Sequence, residues 1–226
     1  MSSRIPAALI GLLPHSGLKT LLMTRVLGWS IHPTASVGPC LFLRVTHVSL
    51  GAGARLLSMS AFYDVNELVL EDDAVMGHWN WISAARTLRT PALDARTGGR
   101  PAVLRLGRGA AVTSRHYIDC SGGVDIGQFT VLAGVRSTVL THQVDLARSE
   151  QDVLAVTVGD YCLVGSNAKI VPGATIPDRC VIAMGSVVVG RLPDERFLYA
   201  GAPARPVKPV EDGEYFSRTD ANARIP

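Results

Sequence analysis

Residues 158–188 read VGDYCLVGSNAKIVPGATIPDRCVIAMGSVV, with an aliphatic residue at every sixth position: Val158, Val164, Ile170, Ile176, Ile182 and Val188. A second series follows in step, four residues after each of the first five: Cys162, Ala168, Ala174, Cys180 and Ser186, all small. A helix repeats near 3.6 residues and a half-buried strand at two, so a period of six belongs to neither alone. It fits a three-sided prism in which each flat face takes one hexapeptide. The aliphatic residue points inward, and the small residue fits the corner, where a larger side chain would clash. Successive turns then stack as parallel strands about 4.8 Å apart around one continuous core. Three hexapeptides close a turn, so Cys162 and Cys180 are expected one above the other as corner fillers.

The rhythm continues toward the N-terminus. Ile31, Val37 and Leu43 form one run, then Leu50, Leu56 and Phe62, then Leu70, Met76 and Ile82. Leu106, Val112 and Ile118 follow, then Ile126 and Leu132. Two stretches lack it: an insertion at about 83–102 rich in Arg, Thr and Pro, and a segment at about 143–156 that reads as a loop thrown out of the coil. Ejected loops on repeat scaffolds tend to carry function. The fold class expected is therefore all-β, a left-handed parallel β-helix of hexapeptide repeats. Its parts are a helical cap at 1–30, the β-helix at 31–190, and a C-terminal segment at 191–226, frayed beyond Glu211.

Composition agrees with one packed domain. The chain has 226 residues, 47% hydrophobic and 18% charged, which excludes a disordered chain. A net charge of +3 is too small to argue for nucleic acid, though it allows a local basic patch for a phosphorylated ligand. Cys40, Cys120, Cys162 and Cys180 form no CxxC pair, so they read as reduced thiols of a cytoplasmic protein. The apolar stretch from Ile5 to Trp29 is interrupted by Pro14, His15, Lys19 and Arg25, which argues against a membrane span. Leu18, Leu21, Leu22, Arg25 and Val26 suit a short amphipathic helix capping the core. Docking of that helix on a membrane surface is the weaker alternative, and membrane association is not expected.

The stretch Thr141–Lys208 resembles the hexapeptide-repeat acetyltransferases, in particular the maltose, galactoside and colanic-acid O-acetyltransferase branch. The matching elements are Thr141-His142-Gln143-Val144-Asp145, Val158-Gly159-Asp160, Val164-Gly165-Ser166-Asn167-Ala168, Ile170-Val171-Pro172-Gly173, Gly185-Ser186-Val187-Val188 and Gly201-Ala202-Pro203-Ala204-Arg205. The resemblance implies transfer of an acetyl group from acetyl-CoA to a hydroxyl, with saccharides or glycosylated small molecules as acceptors. It also implies a homotrimer with sites between subunits. By position His142 is the general base. An alcohol is a poor nucleophile toward a thioester, and imidazole, titrating near 6.5, is a well-matched base in water. Gln143 stands where many relatives have proline. Asp119 and Asp145 are the candidate helpers. Asp119 would orient the hydroxyl or the imidazole, and Asp145 would assist or simply fix the loop. For acetyl-CoA, the resemblance assigns Gly165, Ser166, Ala183 and Gly185 to the pantetheine arm, one of their amides to the oxyanion, Pro203 to the adenine, and Arg205 and Lys208 to the phosphates. His116 occupies a corner slot that elsewhere holds small residues.

Three other readings stand beside this one. An N-acyltransferase acting on an amino sugar differs only in the acceptor, and a β-helix scaffold would lack catalysis. A γ-type carbonic anhydrase would need a His-x4-His pair, and no two of the six histidines are five apart, so no metal is expected. Trp79 and Trp81, just before the insertion, suit a sugar face or plain packing equally.

Overall fold

The computed structural model describes residues 4–88, 90–99 and 101–219. Three parallel sheets run the length of the chain, and each takes one short strand from every coil. The first face begins at Ser30–Ile31 and ends at Thr175–Ile176. The second runs from Ser36–Val37 to Val181–Ile182 and is then extended. The third runs from Leu41–Leu43 to Val187–Val188. This is the left-handed β-helix that the hexapeptide period calls for.

Seven coils stack with strict register. Leu50, Leu70, Leu106 and Ile126 follow one another inward on the first face, and Leu56, Met76, Val112 and Leu132 do so on the second. All are buried, and apolar burial of this kind contributes roughly 25 cal/mol per Å². One expected position is wrong. Leu43 is exposed, and Phe42 fills the core, paired with Phe62 on the next coil. The first coil has one residue fewer in its second turn, so five residues rather than six separate Val37 from Phe42. Phe42 stacks on Phe62 and meets the edge of Trp29, closing the narrow end of the core.

Cys162, Ala168, Ala174, Cys180 and Ser186 are all buried in the corners. The Leu163 amide donates to the Cys180 carbonyl, which stacks the two cysteine positions on adjacent coils. Burial pushes the Cys162 thiol up to about 12 and raises those of Cys120 and Cys180, as inert corner fillers require.

The N-terminal cap holds two helices, α1 (Arg4–Leu12) and α2 (Gly17–Arg25), where the sequence suggested one. Of the expected apolar stripe of α2, only Leu22 packs against the core. Met23 and Lys19 are buried, whereas Leu18, Leu21 and Val26 face outward. The Lys19 ammonium donates to the carbonyls of Gly11, Leu13 and Gly38 at 2.8, 2.8 and 2.7 Å, tying the end of α1 to the first coil. Burial pushes its pKa down to about 8, with the Cys40 thiol acting in the opposite direction.

The irregular insertion contains a third helix, α3 (Pro91–Thr97), with Thr90 as N-cap, Pro91 in the first turn and Gly98 left-handed at its end. Arg86 anchors its start, donating from Nε to buried Asp64 and from its other nitrogens to Thr46 and the Arg44 carbonyl. The segment expected as a loop at 143–156 is an antiparallel hairpin of His142–Asp145 and Glu150–Val153.

After the last coil, Phe197–Gly201 adds to the second face and turns back as Ala204–Pro209. The tail beyond Glu211 is not frayed through its described part. Arg218 lies over the rings of Tyr161 and Tyr215, and the Tyr215 hydroxyl donates to the Cys162 carbonyl at 3.1 Å. Residues 220–226 of the expected tail lie outside the described residues.

Candidate active site

Both ejected segments leave the prism at the same corner, between the third and first faces. The insertion departs after Trp81–Ser83, and the hairpin departs after Thr138–Val139. α3 meets the hairpin strand Glu150–Val153 there. Between them the chain brings Asp119, on the strand Tyr117–Asp119, beside His142, the first residue of the hairpin.

Asp119 is 2% exposed, and its charge is met by a dense set of donors. The Ser121 hydroxyl donates to Oδ1 at 2.6 Å. Thr141 donates to Oδ2 from its amide at 2.9 Å and from its hydroxyl at 2.6 Å. These donors are themselves held. The Ser121 hydroxyl accepts from the Ala85 amide at 2.9 Å, and the Thr141 hydroxyl accepts from the Gly122 amide at 2.9 Å. Burial pushes the Asp119 carboxyl up, but the bonds from Ser121, Thr141 and His142 outweigh it and hold the group below the usual carboxylate range.

His142 Nδ1 lies 2.9 Å from Asp119 Oδ2. The contact is close but not aligned as a straight hydrogen bond, and such contacts commonly tighten when substrate binds. With Nδ1 toward the carboxylate, Nε2 is left as the free ring nitrogen. The His142 side chain is 39% exposed, so a ligand can reach it.

Asp145 is not part of this pair. Three residues further along an extended strand, it is about 10 Å from His142. Its Oδ1 accepts the amides of Ala147 and Arg148, and its Oδ2 pairs with the Arg148 guanidinium at 2.7 Å. It shapes the hairpin tip.

His116 is buried beneath the neighbouring corner. It accepts the Ser137 amide on Nδ1 at 3.1 Å, which leaves Nε2 to donate to the Thr113 hydroxyl at 2.9 Å. Burial pushes its pKa down to about 4, against a weaker opposing effect of the Gly134 backbone. It is a neutral brace between coils.

Gly165, Ser166, Ala183 and Gly185 gather at the corner between the second and third faces. A Cβ on Gly165 would stand 2.8 Å from the Met184 amide nitrogen, and Gly185 has φ of +73° with open space beside it. The amides of Gly165, Ala183 and Gly185 already donate to Ile182, Tyr199 and Ser166. Among the described residues no acceptor stands on the Ser166 amide. Pro203, Arg205 and Lys208 are exposed on the terminal hairpin that continues the second face.

Sequence reasoning missed the roles of Ser121 and Thr141. The two-residue spacing from Asp119 to Ser121 was a signal, since carboxylates commonly bond the chain two residues on.

Residues 155–189 match the family model for the hexapeptide repeat of succinyl-transferase. The fold is a left-handed β-helix whose C-terminal coils match the hexapeptide repeat, and the chain is similar to acetyltransferases that include a galactoside O-acetyltransferase. The galactoside O-acetyltransferase of Escherichia coli (strain K12) is 33% identical over 93 residues, covering 39% of this chain and 45% of that protein. The chain spans 37–49% of the length of the curated relatives it matches. Among solved structures, the polysialic acid O-acetyltransferase OatWY superposes with a TM-score of 0.63 at 18% identity, covering 82% of this chain and 86% of its own. AntD, an N-acyltransferase from Bacillus cereus, gives a TM-score of 0.55 at 13% identity, covering 87% and 90%. At these identities the likeness is one of fold.

Proposed function

We propose that this chain is an O-acetyltransferase that moves the acetyl group of acetyl-CoA to a hydroxyl of a saccharide or glycosylated small molecule. The observation that carries the reading is the 2.9 Å approach of His142 Nδ1 to a buried aspartate kept ionised by Ser121 and Thr141. A carboxylate in that place fixes the imidazole with its proton on Nδ1 and stabilises the imidazolium that forms.

The reaction is direct transfer. His142 Nε2 takes the acceptor hydroxyl proton as the oxygen attacks the thioester carbonyl. The tetrahedral oxyanion collapses, the C–S bond breaks, and the proton passes to the departing CoA thiolate. The Ser166 amide is the free donor suited to the oxyanion. Arg205 and Lys208 meet the CoA phosphates, with Pro203 against the adenine and Gly165, Ala183 and Gly185 leaving room for the pantetheine arm.

Within one chain Gly165, Ser166, Ala183 and Gly185 lie across the whole third face from His142, roughly 15–20 Å by strand length. The site is therefore completed by a neighbouring copy, consistent with a homotrimer. The hairpin offers the means, since Leu146 at its tip is 90% exposed.

A saccharide acceptor is favoured by the face beside the pair. Tyr117 stands two residues before Asp119 and pairs with Trp81 on the adjacent strand; both rings are exposed. Exposed aromatic faces suit the apolar faces of sugar rings. The test is CoA thiol release from acetyl-CoA against sugars, nucleotide sugars and hydroxylated natural products. Hydroxyl acceptors are expected to turn over and give a product whose acetyl group is lost in mild alkali. Turnover only with amino sugars, giving an alkali-stable amide, would establish N-acylation instead. Failure to bind CoA would leave a scaffold.

A further inference from the structure

The helical cap carries an outer face for which the β-helix has no use. α1 turns Ala7, Ile10 and Gly11 inward, and a Cβ on Gly11 would fall 2.5 Å from the Cys40 carbonyl and 2.6 Å from the Phe42 ring. Its orientation is thus fixed, and Leu9 and Leu12 are left outward, Leu9 63% exposed. α2 is fixed in the same way by buried Lys19 and Met23, which leaves Leu18, Leu21 and Val26 outward, Leu18 61% exposed. The two helices contact each other, so five large apolar residues are exposed on one small cap, more than a soluble surface usually scatters singly.

Charge identifies the occupant. The first 63 residues contain five Lys and Arg, namely Arg4, Lys19, Arg25, Arg44 and Arg55, and no Asp or Glu. All 19 acidic residues lie from Asp64 onward, where 17 Lys and Arg accompany them. Lys19 is buried on backbone carbonyls and Arg44 is paired with Asp64, so Arg25 and Arg55 are the exposed cations described at the cap end, with no acidic residue of the first 63 to offset them. Arg25 is exposed at the end of α2, beside the outward leucines. Outward leucines edged by an exposed arginine, with no acidic residue in the helices that carry them, are the surface that an anionic lipid interface attracts. A second copy of the same cap would meet it with like charge. No helix among the described residues is long and apolar enough to cross a membrane, so the contact is a seat on the surface.

We propose that α1 and α2 dock this protein on anionic lipid bilayers, with Leu9, Leu12, Leu18, Leu21 and Val26 entering the interface and Arg25 at its headgroups. The hairpin with His142 leaves the fifth of seven coils, so it stands about 20 Å from the docked end. The inference does not depend on the chemistry proposed above.

The test is co-sedimentation of the full chain with vesicles of phosphatidylcholine alone and of phosphatidylcholine with phosphatidylglycerol at about three to one. The expected result is binding to the anionic vesicles that weakens with added salt and is much weaker on the neutral ones. The double variant Leu18→Glu/Leu21→Glu, which changes only outward positions, is expected to lose at least about tenfold in binding while melting as the parent does. Arg25→Glu, the milder control, is expected to lose about tenfold on anionic vesicles only. Binding to neither vesicle would overturn the proposal, as would full binding by both variants. Self-association abolished by Leu18→Glu/Leu21→Glu, without vesicle binding, would assign the face to a second copy and equally overturn it.

Discussion

Asp119 shows how a buried charge is kept. Removing a carboxylate from water costs several kcal/mol, while each hydrogen bond to a charged group returns about 1.5–3 kcal/mol. Ser121 and the two donors of Thr141 together exceed the cost, and the His142 contact adds to them. Asp119→Asn keeps the shape but removes the charge and one of the two acceptor oxygens. It is expected to cost about 2 kcal/mol in a denaturant melt and to lower kcat at least about a hundredfold, with CoA binding retained. His116 supplies the acid response. Its folded-state pKa of about 4 lies below the ordinary 6.5, so its contribution is complete above pH 6.5 and is lost as pH falls toward 4. That is about 3 kcal/mol across this window. Melts at stepped pH are expected to show the loss, with a shallower slope in His116→Ala. At this scale the sequence was informative only where chemistry and position coincide. His142 and Asp119 were legible as residues, and contact with the imidazole was one of two roles open to Asp119; which of the two was not legible, because 23 positions separate the pair and only the stacking of coils brings them together. Asp145, nearer in sequence, lies further away in space.

Elements outside the repeat were the least legible. Six-residue spacing says nothing of a hairpin, so the segment after His142 read as a loop. Its alternation, in His142, Val144 and Val153, is too short to stand out. The cap misled for a different reason. A leucine stripe normally marks a buried face, yet α2 buries Lys19, whose ammonium closes three backbone carbonyls. Lys19→Met would leave those carbonyls without their donor and is expected to cost about 3 kcal/mol, read as a lowered thermal midpoint. The hairpin gives the second expectation at this scale. Leu146→Glu, at an exposed tip, is expected to leave the monomer fold intact while weakening subunit association in sedimentation velocity. Turnover per chain should fall in parallel, since in the proposed site the donor-site residues and His142 come from different copies. Full turnover by a monomer would remove that part of the proposal.

The whole molecule was the most legible level. Its core repeats one decision seven times, and each coil constrains the next by direct register. A period read from 31 residues therefore extended to nearly the entire prism. The one slip, Leu43 for Phe42, came from a turn shortened by a single residue, which switches the side chains of the strand that follows it, Leu41–Leu43, and no further. The same regularity makes the corners the places where function can be attached, and both departures from the period leave from the corner that holds His142. Acyl transfer by that histidine is tested most directly by single-turnover transfer from acetyl-CoA to an accepted saccharide, comparing the parent with His142→Ala at equal CoA occupancy. A fall in rate of about 10²–10⁴, with CoA affinity and melting temperature unchanged, is expected. An undiminished rate in His142→Ala would contradict the proposal and move the base elsewhere.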